Sequence, residues 1–108
     1  LSNGEPGMLA EGVAAAGLAD LLDDVLSVEA VGVFKPDPRV YALAEQRFGL
    51  PAARMAFMSS NPWDAFGARN FGFQVVWINR AGQPDEYGLR GTVVELRDLA
   101  GLPALLRA

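Results

Sequence analysis

The sequence predicts an α/β fold in which short buried strands alternate with helices along a parallel sheet. Two apolar runs, Met55–Met58 and Gln74–Asn79, are typical of buried strands, and helical patterns surround them. Polar clusters follow several of the predicted strands. The chain has 108 residues, which is enough for one domain. Because strands and helices alternate, we expect right-handed crossover units within a single α/β domain over residues 1–108.

The remaining predicted elements are bounded by proline, aspartate or glycine at positions that suit helix ends. In chain order they are a helix over Glu5–Ala16, a strand over Asp24–Val28, a helix from Pro38 to about Phe48, a helix over Asp64–Phe71, an edge strand over Thr92–Val94 and a final helix over Leu96–Arg107. Asp37 is expected to cap the second helix, and Gly49 to end it. The glycine- and proline-rich segment Arg80–Gly91 is predicted to be a loop.

Composition narrows the possible functions. The formal net charge is −4 and no basic cluster is present, which argues against nucleic acid or an anionic membrane surface as a partner. No apolar run approaches the length of a membrane span. The chain contains no cysteine and no histidine, so disulfides, thiolate metal ligands and the usual general base are excluded. Catalysis would therefore depend on carboxylate, lysine, hydroxyl or amide groups.

Three polar clusters are predicted to follow strands: Ser2–Gly4, Lys35–Asp37 and Ser59–Asp64. In open parallel sheets, ligands bind beyond the carboxyl ends of the strands. We therefore expect these clusters to form the rim of an active site.

Each candidate also has a purely structural interpretation. Ser2 and Asn3 are suitable N-caps for the first helix, and Asp64 is suitable for the third. Lys35 suits a solvated surface charge, and Tyr41 suits a half-buried aromatic residue. Only the combination of the three clusters favours a functional site over these separate roles.

Three segments together resemble the haloacid dehalogenase superfamily, and within it the L-2-haloacid dehalogenases. They are Leu1–Gly4, Lys35–Tyr41 and Ser59–Arg69, supported by Phe71–Phe73 and Trp77–Arg80. The segments occur in the order and spacing of the family and cover nearly the whole chain. The resemblance implies a Rossmann-like, three-layer αβα core domain with a parallel sheet.

The residue at position 59 favours the dehalogenase subgroup. Phosphatases of this superfamily carry a metal-binding aspartate where this chain has Ser59. They need Mg²⁺ because an anionic nucleophile must approach a multiply charged phosphate. A 2-haloacid has one carboxylate and a neutral carbon–halogen centre, so the ammonium group of Lys35 can supply the positive charge. The resemblance therefore implies no metal and no other cofactor.

The resemblance also implies roles for the substrate-binding residues. In this family an aspartate attacks C2 of the substrate and expels halide, and water then hydrolyses the aspartyl ester. Ser2 would bind the substrate carboxylate, and Asn3 would help to receive the halide. Trp63 would form an apolar wall for the halogen-bearing carbon.

Five further residues are assigned to catalysis by the same resemblance. Lys35 would stabilise the charge of the nucleophile, with Tyr41 and Asp64 fixing the lysine. Ser59 and Asn61 would position the lysine, the aspartate or the hydrolytic water.

The main departure from the family concerns the nucleophile. In the family it lies upstream of the Ser-Asn motif, on the first and central strand, whereas this chain begins at that motif. We therefore expect residues 1–108 to be a partial core domain that lacks this strand and the cap. The gap would leave unpaired backbone, so the isolated residues should fold poorly and be inactive without the N-terminal remainder.

Two other functions stay open at this stage. One is a phosphatase-like hydrolase of the same superfamily, and the other is a non-catalytic remnant kept as a structural domain. For the dehalogenase, the expected partners are a small-molecule 2-haloacid and a second copy in a homodimer. The expected location is the cytoplasm.

Overall fold

The computed structural model describes residues 1–107, and the chain divides into two compact units. Unit 1 spans Leu1–Gly49, and unit 2 begins at Leu50. The helices and strands are, in chain order, α1 (Pro6–Ala15), α2 (Pro38–Phe48), β1 (Ala56–Ser59), α3 (Pro62–Phe71), β2 (Gln74–Ile78), β3 (Val94–Leu96) and α4 (Leu102–Arg107). Short 3₁₀ turns cover Val28–Ala30, Ala52–Arg54 and Leu99–Gly101.

In unit 1, helix α2 follows the sequence prediction closely. The carboxylate of Asp37 accepts a hydrogen bond from Arg39 N at 2.9 Å, and Pro38 occupies the first turn. Gly49 ends the helix with φ of 65°, a left-handed conformation that glycine adopts without steric cost. Val40 and Tyr41 are the buried residues of this helix.

Helix α1 is capped by Glu5, which the sequence predicts to be the first residue of the helix itself. The carboxylate of Glu5 accepts hydrogen bonds from Gly7 N at 2.8 Å and Met8 N at 3.2 Å. Because Glu5 occupies the N-cap position, the interpretation of Ser2 and Asn3 as helix caps is wrong. None of the side chains of α1 is buried.

The strand predicted over Asp24–Val28 is not formed. The structure has a single parallel bridge between Ser2 and Ser27, followed at once by a 3₁₀ turn. The pairing stops because both segments turn away: the Ser2 hydroxyl accepts from Gly4 N at 2.9 Å, and the Ser27 hydroxyl accepts from Glu29 N at 3.2 Å. Hydroxyl side chains that bond nearby backbone compete with strand pairing in this way.

Unit 2 contains the predicted parallel sheet, with strand order β1-β2-β3. Ser59 lies opposite Trp77, and Ile78 lies opposite Leu96. Every residue of β2 is buried except Gln74, as expected for the central strand of a parallel sheet. Helix α3 packs against β1 and β2. The α/β class with a parallel sheet is therefore confirmed.

Three predicted boundaries in unit 2 need correction. Helix α3 begins at Pro62 rather than at Asp64, because Asn61 O already accepts from the Asp64 and Ala65 amides. The third strand covers Val94–Leu96 rather than residues 92–94. The predicted final helix is displaced because Leu96 is in this strand, and its carbonyl accepts from Asn79 N at 2.8 Å.

Within residues 1–107, no helix combines the length and the apolar character that crossing a bilayer requires.

Candidate active site

Ser59 is the last residue of β1, and its hydroxyl group organises the turn into α3. The hydroxyl donates to Asp64 Oδ2 at 2.8 Å and accepts from Asn61 N at 3.2 Å. Ser59 thus connects the end of the strand to the first turn of the helix. The sequence predicted that these three residues belong together, and unit 2 brings them together.

The carboxylate of Asp64 is buried, with only 4% of the residue exposed. It lies in the first turn of α3, where the helix dipole favours a negative charge. The N-cap position belongs to Asn61, so the interpretation of Asp64 as a helix cap is wrong. Its hydrogen bond from Ser59 is consistent with a carboxylate that holds the strand end in place.

The peptide after Ser59 is fixed from the core. Trp77 is completely buried in β2, and its indole Nε1–H donates to Ser60 O at 3.3 Å. A buried indole N–H needs such an acceptor. The backbone of Ser59, Ser60 and Asn61 is therefore held both by side chains of the turn and by the central strand.

A cavity of about 410 Å³ lies at the carboxyl ends of β1 and β2. Ser59, Ser60 and Asn61 line it, as the rule for parallel sheets predicts. The further lining residues are Met58, Ile78, Asn79, Arg80, Ala81, Gln83 and Leu99. Asn79, Arg80 and Gln83 were not among the predicted site residues. The sequence predicts Asn79 as the last residue of a strand, whereas β2 ends at Ile78. A polar residue at the carboxyl end of that apolar run is the signal that could have identified it.

Trp63 lines a neighbouring cavity of about 310 Å³ rather than the first one. This second cavity also contains Pro62, Pro84 and Tyr87, while Asn61 and Gln83 line both cavities. Trp63 thus shares its cavity with both apolar and polar residues, and its role as an apolar wall for the substrate stays a prediction.

In unit 1, the Ser-Asn and Lys-Pro segments are joined by one hydrogen bond. Asn3 Oδ1 accepts from Lys35 N at 2.8 Å. Ser2 is held by two backbone bonds, from its N–H to Leu26 O at 2.9 Å and from Val28 N to its carbonyl at 3.0 Å. Unit 1 therefore brings Asn3 to Lys35 through a side-chain hydrogen bond across 32 positions of sequence, while Ser2 is held by the segment Leu26–Val28.

Tyr41 lies on the first turns of α2 and is completely buried. Lys35, six positions earlier, is half-buried and precedes a cis peptide bond with Pro36. The alternative of a half-buried aromatic residue is therefore wrong, because no part of Tyr41 is exposed. Both its predicted role beside Lys35 and a packing role remain predictions.

Two carboxyl groups near these sites are held ionised by hydrogen bonds. Hydrogen bonds from Arg39 lower the pKa of Asp37 to about 2, the one from its side chain contributing most and the one from its backbone N–H next. In unit 2, the Arg90 guanidinium and the Asn79 amide lower the pKa of Glu95. Among residues 1–107, no group of three or more histidine, cysteine, aspartate or glutamate side chains could hold a metal ion.

The model of haloacid dehalogenase-like hydrolases matches residues 1–72, which is two thirds of the chain and includes the Ser-Asn, lysine and Ser59 segments.

The chain belongs to the haloacid dehalogenase-like hydrolase family.

Individual relatives are more specific. The chain is similar to an (S)-2-haloacid dehalogenase of Pseudomonas sp. (strain YL), with 56% identity over 82 residues, which are 76% of this chain and 35% of the relative. A crystal structure of an L-2-haloacid dehalogenase superposes with a TM-score of 0.94 at 46% identity, covering 100% of this chain and 48% of the other. The enzyme from Xanthobacter autotrophicus, solved with chloropropionic acid covalently bound, gives 0.91 at 37% identity, covering 100% and 54%. The chain thus spans about a third to a half of the relatives it matches.

Proposed function

We propose that the full-length polypeptide containing these residues is an (S)-2-haloacid dehalogenase. It hydrolyses L-2-haloacids to D-2-hydroxyacids through an aspartyl-ester intermediate. The attacking aspartate is contributed by a part of the polypeptide outside residues 1–108. The observation that carries this proposal is the pairing of the Ser59 hydroxyl with the buried carboxylate of Asp64 at 2.8 Å.

This pairing supports a dehalogenase over a phosphatase. Mg²⁺ prefers carboxylate oxygens and water in octahedral geometry, and phosphatases use it to neutralise their substrate. At the end of β1, Ser59 offers a metal ion only a neutral hydroxyl in place of a carboxylate. The proton of that hydroxyl is directed at Asp64. Ser59 and Asp64 are therefore better suited to fixing the end of the strand than to binding Mg²⁺.

The proposed reaction has two steps. An oxygen of the attacking aspartate forms a bond to C2 of the haloacid, and the carbon–halogen bond breaks, so that halide leaves with the bonding electrons. Water then attacks the ester carbonyl carbon, which releases the 2-hydroxyacid, regenerates the carboxylate and yields one proton. The first step inverts the configuration at C2.

The residues of this chain have separate roles in that sequence. The Lys35 ammonium offsets the negative charges of nucleophile and substrate. Ser2 binds the substrate carboxylate, and Asn3 stabilises the departing halide while its Oδ1 holds the Lys35 backbone. Ser59 and Asn61 position the groups that act on the ester.

Halide release by the full-length protein tests this function directly. With (S)-2-chloropropionate as substrate, Lys35→Ala should lower kcat by about 10²–10³, the range for loss of one group that stabilises developing charge. The control is Arg39→Ala, which removes an exposed cation from the same segment and should leave kcat within about twofold.

Two other results would contradict the proposal. Mg²⁺-dependent release of phosphate from p-nitrophenyl phosphate, without halide release, would favour the phosphatase-like hydrolase. No turnover of either substrate would favour a non-catalytic domain. The homodimer and the cytoplasmic location stay predictions, as does the poor folding of residues 1–108 without the N-terminal remainder.

A further inference from the structure

We propose that Asn79 is a positioning residue that holds the turn Arg80–Gln83 as a wall of the 410 Å³ cavity lined by Ser59 and Asn61. Asn79 is the first residue after β2 and is only 7% exposed. No role was predicted for it. The inference extends the proposed function, on which its kinetic test rests.

The side chain of Asn79 makes three hydrogen bonds, two of them to a single residue of the turn. Asn79 Oδ1 accepts from Gln83 N at 2.8 Å, and Nδ2 donates to Gln83 O at 3.0 Å. Nδ2 also donates to Glu95 Oε2 at 2.7 Å. The two bonds to Gln83 satisfy both backbone polar groups of that residue and close the turn.

Asn79 is itself held by the neighbouring strand. Its backbone N–H donates to Leu96 O at 2.8 Å, and its side chain is bound to Glu95 of β3. Glu95 is in turn paired with Arg90 Nε at 3.0 Å. Hydrogen bonds to an ionised acceptor are stronger than those between neutral groups, so the Asn79–Glu95 bond is a firm anchor.

The turn itself has little else to hold it. Arg80, Ala81, Gly82 and Gln83 are all exposed, so packing into the core does not order them. Gly82 has φ of 67°, which suits a tight turn. A glycine can also adopt many other conformations once the two bonds to Gln83 are lost. Loss of the Asn79 side chain would therefore release the turn while β2 and β3 remain paired.

The position of the turn matters because Gln83 lines two cavities. It contributes to the 410 Å³ cavity and to the one that contains Trp63. Arg80 also lines the first cavity, where its positive charge suits an anionic substrate. If the turn were disordered, the substrate would have to order it on binding, and the entropy cost would appear as a weaker affinity.

The kinetic test uses the full-length protein and (S)-2-chloropropionate. Asn79→Ala should raise KM about tenfold, the equivalent of one lost hydrogen-bond group, and should leave kcat within about twofold. The matched control is Gln74→Ala. Gln74 begins the same strand, and its Nε2 donates to Ala53 O at 2.7 Å at the opposite end of the sheet. This control removes one exposed side-chain hydrogen bond of the same strand and should leave KM unchanged.

A reversal of the hydrogen-bond roles gives the second test. Asn79→Asp places a carboxylate against Glu95 and should raise KM. Adding Glu95→Gln to that variant restores the hydrogen bond between positions 79 and 95 with donor and acceptor exchanged, while the bond to Gln83 O stays lost, so KM should fall by at least about threefold from that of Asn79→Asp without reaching the parent value. A general loss of packing would not be rescued in this way.

Hydrogen exchange separates this inference from the proposed function. The Gln83 amide should exchange at least about tenfold faster in Asn79→Ala than in the parent, and not in Gln74→Ala. If the parent protein does not release halide, the proposed function fails, but the exchange result still decides whether Asn79 holds the turn. Unchanged exchange at Gln83, or an equal rise in KM in Gln74→Ala, would overturn the inference.

Discussion

Unit 2 carries its candidate residues on the edge of a sheet, whereas unit 1 carries its candidate residues on turns and the start of a helix. In unit 2, Ser59 pairs with the buried strand β2, and Asn61 begins helix α3, which also has buried residues. In unit 1, the buried apolar residues are Val28, Val40 and Tyr41. Hydrogen bonds of the Ser2, Asn3 and Ser27 side chains hold the rest of its site segments.

The difference shows two ways of placing a functional side chain. A residue at the end of a buried parallel strand is placed by the register of the sheet, which the apolar pattern specifies. A residue on a turn is placed by individual polar contacts between segments distant in sequence. Three substitution pairs, each comparing the two kinds of support, test this difference.

The largest effect on stability is expected when a buried leucine and an exposed leucine are each replaced by alanine and the two losses are compared. Leu89 of unit 2 is 0% exposed, and Leu21 of unit 1 is 76% exposed. Leu89→Ala should lower the free energy of unfolding by about 2–5 kcal/mol, through lost burial and a cavity. Leu21→Ala should change it by less than about 0.5 kcal/mol. Chemical denaturation of the full-length protein measures both.

An equal loss in the free energy of unfolding for Leu89→Ala and Leu21→Ala would contradict this prediction. It would mean that Leu21 is covered in the full-length protein, so the contrast between the two units would be confined to residues 1–107.

A smaller effect is expected from the two N-cap residues, Asp37 and Asn61. The Asp37 side chain caps α2, but the Asn61 side chain makes no capping hydrogen bond to α3. Asp37→Ala should therefore lower Tm by a few degrees and leave halide release nearly unchanged. Asn61→Ala should leave Tm nearly unchanged and lower kcat/KM about tenfold or more, because its amide lines the cavity. Thermal melts and halide-release assays on both variants would separate the roles, and a reversed pattern would show that Asn61 is a structural cap.

The smallest effect concerns the titration of two aspartates. In unit 1 the Arg39 side chain is the main cause that lowers the pKa of Asp37 to about 2 from 3.8. In unit 2 the backbone N–H groups of Arg90 and Leu89 lower the pKa of Asp85. Because both pKa values are lowered by folding, both carboxylates stabilise the folded state above pH 3.8, and this stabilisation is lost as the pH falls through the folded-state pKa.

Arg39→Gln should therefore raise the pKa of Asp37 towards 3.8, while Arg90→Gln should leave the pKa of Asp85 lowered, because its backbone donors remain. Carboxyl-carbon NMR titration follows both groups. A pKa of Asp37 that stays near 2 in Arg39→Gln would show that the backbone of unit 1 is a stronger support than we infer.

Much of unit 2 could be predicted from the sequence. The apolar runs around Phe57 and Val76 identified β1 and β2, and the polar cluster after β1 identified Ser59 and Asn61 as cavity residues. The alternation pattern could not show that Asn79 closes a turn, because the hydrogen bonds to Gln83 and Glu95 depend on the pairing of β2 with β3.

Less of unit 1 could be predicted from the sequence. There, hydrogen bonds from side chains to nearby backbone compete with the pairing of strands. The run Asp24–Val28 has the composition of a strand, but the hydroxyls of Ser2 and Ser27 bond the nearby backbone and limit the pairing to one bridge. Glu5 caps α1 although serine and asparagine, the more usual capping residues, stand three and two positions before it.

By itself, the sequence determined the α/β class, the central strand β2 and the ends of α2, since these depend on periodicity and on the backbone preferences of proline and glycine. Only the tertiary structure decided that Asn3 holds Lys35, that Ser59 pairs with Asp64 rather than leaving it to cap the helix, and that Asn79 joins a turn to a neighbouring strand. Hydrogen bonds have direction and require two partners, so their pairing is settled only when the folded chain brings donor and acceptor together.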